Sequence, residues 1–271
     1  QVNWMVASES LVLENNDYQI IRDIKPGEAI FIPANGEIYS DQCSSNPVLF
    51  PCSFEYVYLA RPDSIMNGIS VYEARLRMGN LLAETIKEQI PLGDIDVVMP
   101  IPDSSRPAAM QVAKNLGIEY REGFFKNRYV GRTFIMPGQS LRKKSVRQKL
   151  NAMSTEFKGK NIVIVDDSIV RGTTSQQIVQ MAKSAGANKI IFTSAAPPIR
   201  YSHVYGINMP SRKELIAYNR SISEIEDKLG IDKLVYQSIS NLKKAIVDTS
   251  NIKNLDLSCF SGEYVTGTIT D

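Results

Sequence analysis

The segment IVIVDDSIVRGTTS, Ile162 to Ser175, constrains this chain more than any other stretch. Ile162, Val163, Ile164 and Val165 are β-branched and uninterrupted, the pattern of a strand buried on both faces of a parallel sheet. Ile178, Val179, Met181 and Ala182 then recur at helical spacing, with Gly186 placed to end the helix. The frame is strand, loop, helix. In an open parallel sheet, ligands bind beyond the carboxyl ends of the strands, and the amides opening the next helix receive anions. Arg171, Gly172, Thr173 and Thr174 supply close backbone approach, amides and hydroxyls, which suits a phosphate. Asp166 and Asp167 repel that anion and must serve something else. Adjacent acids at a strand end accept hydrogen bonds from sugar hydroxyls, or hold a magnesium shell that carries a second phosphate. Helix capping explains one acid here, but not two followed by Arg-Gly-Thr-Thr. The residues describe a site for a phosphorylated sugar.

The rest of the chain extends this frame. Ala74, Met78, Leu81, Leu82 and Ile86 form one face of a helix over Ile69 to Ile90. A strand over Asp96 to Pro100, a helix over Pro107 to Leu116, the strand Ile162 to Val165, a helix over Ser175 to Ala185 and a strand over Lys189 to Ala195 alternate as in a doubly wound α/β sheet. Helices over Leu215 to Gly230 and Ser238 to Asp248 flank a short strand, Leu234 to Tyr236. Pro102, Asp103, Ser104 and Ser105 follow one strand and precede a helix opened by Pro107, which makes them a second carboxyl-end loop. Gly131 to Lys149 carries Arg132, Arg142, Lys143, Lys144 and Arg147 without a clear helix or strand, and with Lys126, Arg128 and Tyr129 before it reads as a cationic lid.

Upstream, ASESLVL, YQIIRD and AIFI read as strands, with turns at Pro26-Gly27 and Asn35-Gly36. Beyond Asn251 the composition turns polar, which predicts a poorly ordered tail. The expected division is residues 1–45, 46–250 and 251–271. No apolar run is long enough for a membrane span, and the start lacks the pattern of a signal peptide, so the expected compartment is the cytoplasm. A net charge of +2 gives no general pull toward nucleic acid, and the basic run at Arg142 to Arg147 has no interleaved stacking aromatics. Three cysteines cannot close a disulfide framework; Cys43 reads as packing.

VIVDDSIVRGTTS resembles the phosphoribosylpyrophosphate (PRPP) loop of type I phosphoribosyltransferases. FFKNRYVGRTFIMPGQSLRKKSVRQKLNA (Phe124 to Ala152), SAAPPIRYSHVYGINMPS (Ser194 to Ser211), FEYVYLARPDS (Phe54 to Ser64) and VMPIPDSSRPAA (Val98 to Ala109) resemble one family within that group, the glutamine PRPP amidotransferases. The resemblance implies a type I phosphoribosyltransferase fold and displacement of pyrophosphate from PRPP by ammonia, drawn from glutamine in the complete enzyme, at the start of purine synthesis. It implies that Lys126, Asp166 and Asp167 act in catalysis, and that Asp103, Ser104, Tyr129, Ser168, Arg171, Gly172, Thr173 and Thr174 join them in holding PRPP. Ser104, Asp166 and Asp167 would face Mg2+. Purine nucleotides are the expected inhibitors, and a homo-oligomer the expected assembly.

The same resemblance makes residues 1–45 the last strands of an N-terminal nucleophile glutaminase domain, whose catalytic cysteine is not among Cys43, Cys52 and Cys259; the glutaminase half is then either missing or a separate partner of this chain. Relatives that bind an iron–sulfur cluster use four cysteines, matched here by Cys52, His203, Asp256 and Cys259. This set would suit zinc as well as iron, but two of the four cysteines are replaced, and other relatives lack a cluster. Two alternatives share the PRPP loop. A purine-base salvage transferase needs a base-binding hood, and a non-catalytic PRPP-sensing regulator needs a DNA-binding segment ahead of the fold.

Overall fold

The computed structural model describes residues 3–126, 150–248 and 250–267. The expected lid from Gly131 to Lys149, together with Arg128 and Tyr129, lies outside the described residues. At the centre is a five-stranded sheet in the order Lys233–Tyr236, Lys189–Ser194, Asn161–Asp166, Val97–Pro100, Glu119–Tyr120, with all neighbours parallel. Numbered along the chain, these strands run 2-1-3-4-5 across the sheet. That order reverses between Val97–Pro100 and Asn161–Asp166, and such a switch point opens a crevice at the carboxyl ends. The loops after these two strands are the ones that carry Asp103, Ser104, Asp166 and Asp167.

Both sheet faces are covered, as the unbroken apolar run requires. Val98, Val163, Val165, Ile191 and Val235 pack against Ala74, Met78, Leu82, Ala109, Val112 and Ile246 from the helices Val71–Gln89, Arg106–Leu116 and Ile239–Val247. Ile162, Ile164, Phe192 and Leu234 pack on the other face against Ile178, Ala182, Ile225 and Leu229 from Thr173–Ser184 and Ile222–Leu229. Each fully buried Ile or Val contributes about 1.5–3 kcal/mol, so the central strand is anchored and the loop at its end starts from a rigid base. The first two helices approach closely at Gly79, where an added Cβ would lie 2.3 Å from the Ala108 carbonyl oxygen.

The upstream segment departs from expectation. Only Glu28–Phe31 and Tyr39–Gln42 pair as antiparallel strands; Ser10–Glu14 is a short helix, and Tyr18 to Asp23 is unpaired. A strand needs a neighbour to take its ladder hydrogen bonds, and no described segment supplies one there. The segment instead meets the rest of the chain through Glu9, whose carboxylate accepts from the Arg61 amide at 2.9 Å and the Ser64 hydroxyl at 2.7 Å. Cys43 is exposed rather than packed.

Two further expectations need correction, and one strand pair was not expected. The helix drawn from Leu215 begins only at Ile222, where Ser221 and Glu224 form a reciprocal cap; Leu215, Ile216 and Ala217 are fully buried, and Ile216 donates its amide to the Val170 carbonyl at 2.9 Å. The described part of the tail, residues 251–267, is not loose. Asp256 bridges to Cys52, and Cys259 and Phe260 are buried, with Phe260 stacked on Phe54. Two short strands, Phe124–Lys126 and Leu150–Ala152, pair antiparallel on either side of the basic segment and had no clear signature of their own. No helix among the described residues is long and apolar enough to cross a membrane.

Candidate functional site

The strand Asn161–Asp166 delivers two carboxylates into the switch-point crevice, and both are buried. Asp167 donates its amide to Asp166 Oδ1 at 2.9 Å, Ser168 Oγ donates to Asp167 Oδ1 at 2.7 Å, and Ser104 Oγ, from the neighbouring loop, donates to Asp167 Oδ2. Burial and then the charge of Asp167 push Asp166 well above the usual carboxylate range. Burial raises Asp167 as well, against the Ser104 and Ser168 hydroxyls and the more distant Arg75 guanidinium. Arg75 is itself committed elsewhere: it is buried and donates to the carbonyls of Tyr56 at 2.9 Å and Ala60 at 2.8 Å. Among the described residues, neither aspartate forms a salt bridge. Two buried carboxylates without a cation, beside a hydroxyl oxygen, are the donor set of a hard divalent ion.

The phosphate-type loop follows at once. Gly172 adopts φ +75° and starts the helix Thr173–Ser184; an added Cβ there would sit 2.2 Å from Ile216 Cδ1. The first amides of a helix have no partner within it and point outward with the positive end of the dipole. Thr173 and Thr174 present exposed hydroxyls beside these amides. Arg171 is held by Glu214 at 3.2 Å, and Glu214 is in turn fixed by the Ser211 amide and hydroxyl.

The second loop turns through a cis peptide between Pro102 and Asp103. Asp103 is shared by two cations, Lys126 Nζ at 2.6 Å and Arg106 Nη1 at 2.7 Å. Partial burial works to raise its pKa, but these two cations hold the Asp103 carboxyl below the ordinary value. Lys126, from the strand Phe124–Lys126, is thereby placed at the rim of the same crevice.

Nearly all the expected sugar-phosphate residues therefore gather at one end of the sheet. Ser104, Asp166, Asp167 and Ser168 form one hydrogen-bonded knot, Arg171 to Thr174 open the adjacent helix, and Asp103 with Lys126 lines the other side; Tyr129 lies outside the described residues. Sequence reasoning missed the supporting roles of Arg75, Arg106, Glu122 and Glu214, of which only Arg106 lies within one of the quoted motifs.

The second expected cluster comes together only in part. Cys52 Sγ lies 3.5 Å from His203 Nε2, which lies 3.1 Å from Asp256 Oδ2; these three could share an ion, but Cys259 is not grouped with them. His203 is buried rather than on the surface. Its Nδ1 accepts from the amides of Tyr205 and Ile207, each at 3.3 Å, so the ring proton sits on Nε2 and faces Asp256. Burial pushes the Cys259 thiol far up, away from the thiolate a metal needs.

Comparison with known proteins places this geometry in a family. Residues 71–212 match the phosphoribosyl transferase domain, and the chain belongs to that family. Its similarity extends further, to amidophosphoribosyltransferases. It is 57% identical to that of Pseudomonas aeruginosa over 100% of this chain and 54% of the relative, and 53% identical to that of Escherichia coli over 98% and 53%. The solved glutamine PRPP amidotransferase from B. subtilis, complexed with ADP and GMP, superposes with a TM-score of 0.83 at 41% identity, covering 97% of this chain and 57% of that one. The chain spans about half the length of the relatives it matches.

Proposed function

We propose that this chain carries the phosphoribosyl-transfer site of a glutamine PRPP amidotransferase, where ammonia displaces pyrophosphate from C1 of PRPP to give 5-phosphoribosylamine. The observation that carries the reading is the buried Asp166–Asp167 pair, which makes no salt bridge among the described residues, is bonded to Ser104 and is flanked on adjacent strands by two anion-type loops. The helix-start amides, Arg171, Thr173 and Thr174 hold the 5-phosphate. Asp166 and Asp167 accept from the ribose hydroxyls and, with Ser104, form the side that takes Mg2+, which when bound neutralises charge on the pyrophosphate. Lys126 adds a cation where that group departs. A C–N bond forms at the anomeric carbon as the C–O bond breaks, and the proton lost by the nitrogen goes to solvent. The protein contributes positioning and charge rather than an acid or base at the reacting carbon. Purine nucleotides carry the same 5-phosphate and would compete for the helix-start cradle.

Residues 1–45 fit one edge of a second domain, as the glutaminase reading requires. Ile21 is 73% exposed, Phe31 66% and Val6 60%, and a cleft of about 910 Å³ lined by Ile24, Lys25, Val48, Leu49, Asp248 and Lys253 opens away from the sugar-phosphate loops. These exposed apolar side chains agree with a segment that packs against the rest of that domain.

The test is pyrophosphate release from PRPP and Mg2+ with ammonium chloride, adenine or guanine as acceptor. Turnover is expected with ammonia alone and should rise with pH as ammonium loses its proton. Release with a purine base, or none with ammonia, would overturn the assignment.

We read Cys52, His203 and Asp256 as a hydrogen-bonded clasp that ties the tail to the segment before Phe54, rather than as an iron or zinc centre. His203→Ala then removes one hydrogen bond from the buried Asp256 carboxylate, leaving it the Ser258 amide, and should cost about 2 kcal/mol, visible as a lower melting temperature. Stoichiometric iron or zinc in the purified protein by elemental analysis would overturn the clasp.

A further inference from the structure

Beside the sugar-phosphate loops lies a line of alternating charges, of which the proposed reaction uses Lys126 but not Arg106 or Glu122. Lys126 Nζ meets Asp103 Oδ2 at 2.6 Å, Asp103 Oδ1 meets Arg106 Nη1 at 2.7 Å, Arg106 Nε meets Glu122 Oε1 at 2.9 Å, and the Tyr120 hydroxyl donates to Glu122 at 2.7 Å. Each inner charge is divided between two partners. Arg106 is the first residue of the helix Arg106–Leu116, where the dipole disfavours a cation, so its guanidinium is held there by the two acids.

This sharing has a direct electrostatic consequence. An anion that recruits Lys126 must draw it from Asp103, and Asp103 holds Lys126 less firmly the more Arg106 neutralises it. Arg106 does so less fully because part of its charge is engaged by Glu122. We propose that Arg106 and Glu122 are positioning residues that set how firmly Asp103 retains Lys126, and through Lys126 the affinity of the site for a sugar bearing a pyrophosphate. The proposal rests on the reading of Lys126 as a cation for the pyrophosphate side.

The signs are opposite for the two partners. Arg106→Gln leaves Asp103 to Lys126 alone and weakens PRPP binding, whereas Glu122→Gln frees Arg106 for Asp103 and strengthens it. The side chains of Arg106, Asp103, Lys126 and Glu122 are 36–51% exposed, so each change should be modest, about two- to fivefold in Kd at low ionic strength. Arg106→Lys, which keeps the charge, should stay near wild type.

The experiment is equilibrium binding of PRPP with Mg2+ to the intact protein and to these variants, each made with Asp103 intact and with Asp103→Asn. If the charges act through Asp103, both effects vanish in the Asp103→Asn background. If they persist there undiminished, Arg106 and Glu122 act directly on the ligand's field and the proposal is overturned. It is overturned equally if both variants shift affinity in the same direction. Absence of PRPP binding by the unsubstituted protein would instead strike the functional reading beneath it.

Discussion

Replacing Asp167 by asparagine is expected to lower turnover of PRPP by at least about 10²-fold while leaving the fold intact. Asparagine has nearly the same shape and keeps one oxygen, and the Ser104 and Ser168 hydroxyls that donate to Asp167 can rotate to meet an amide. What disappears is a negative charge beside Asp166, where the ribose and Mg2+ are to be organised and where the demand is greatest in the transition state. Stability should move the other way. The folded-state pKa of Asp167 is raised, so the ionised carboxylate opposes folding at neutral pH, and that penalty is relieved as pH falls through the folded pKa toward the unfolded value. The variant should therefore melt no lower than the parent at neutral pH, and the gap in its favour should close in acid. Steady-state pyrophosphate release close to the parent rate would remove Asp167 from the catalytic set; a lower melting temperature would show that the loss was structural.

Gly172→Ala should be nearly as damaging by a different route. The φ of +75° alone costs a residue with a side chain about 1–2 kcal/mol. The new Cβ would also lie 2.2 Å from Ile216 Cδ1, and Ile216 is fully buried, so its side chain has little space to turn into. Relieving both strains shifts the helix start, which under the proposed reading misplaces the amides meant for the 5-phosphate. Affinity should fall about tenfold or more, and equally for PRPP and a purine nucleoside monophosphate, since both bring the same phosphate. Calorimetric titration with each ligand checks this, and a loss confined to PRPP would contradict it. Ile216→Ala added to Gly172→Ala should recover part of the affinity by removing the clash but not the strained dihedral.

How far the chain was readable in advance follows from where each contact is made. Ile162 to Val165 announced a doubly buried strand because the burial pattern is written in consecutive residues, and Arg171 to Thr174 announced a helix start for the same reason. The Pro102 to Ser105 loop was equally local. Ser10 to Glu14 misled because a β-like composition forms a strand only where a neighbour takes its hydrogen bonds. Leu215 to Ala217 misled because their apolar spacing serves the underside of the Gly172 loop rather than a helix face. His203 and Asp256 are separated by 53 residues, and His203 and Cys52 by 151, so their burial rests on tertiary contacts that no short window displays. The Arg106–Glu122 pair was silent for another reason: half-exposed charges are ordinary in any sequence, and only their shared partner distinguishes them.

The reversal in strand order carries a consequence for size discrimination. The two anion-type loops rise from hydrogen-bonded neighbours, Val97–Pro100 and Asn161–Asp166, whose separation is fixed at about 4.8 Å by backbone pairing. Behind them, Gly79 lets one helix lie directly against the backbone of the next, so the second loop cannot drift outward without breaking that contact. The span between the two loops is thus held rigid by the backbone, and under the proposed reading a ligand that engages both loops must match that fixed separation.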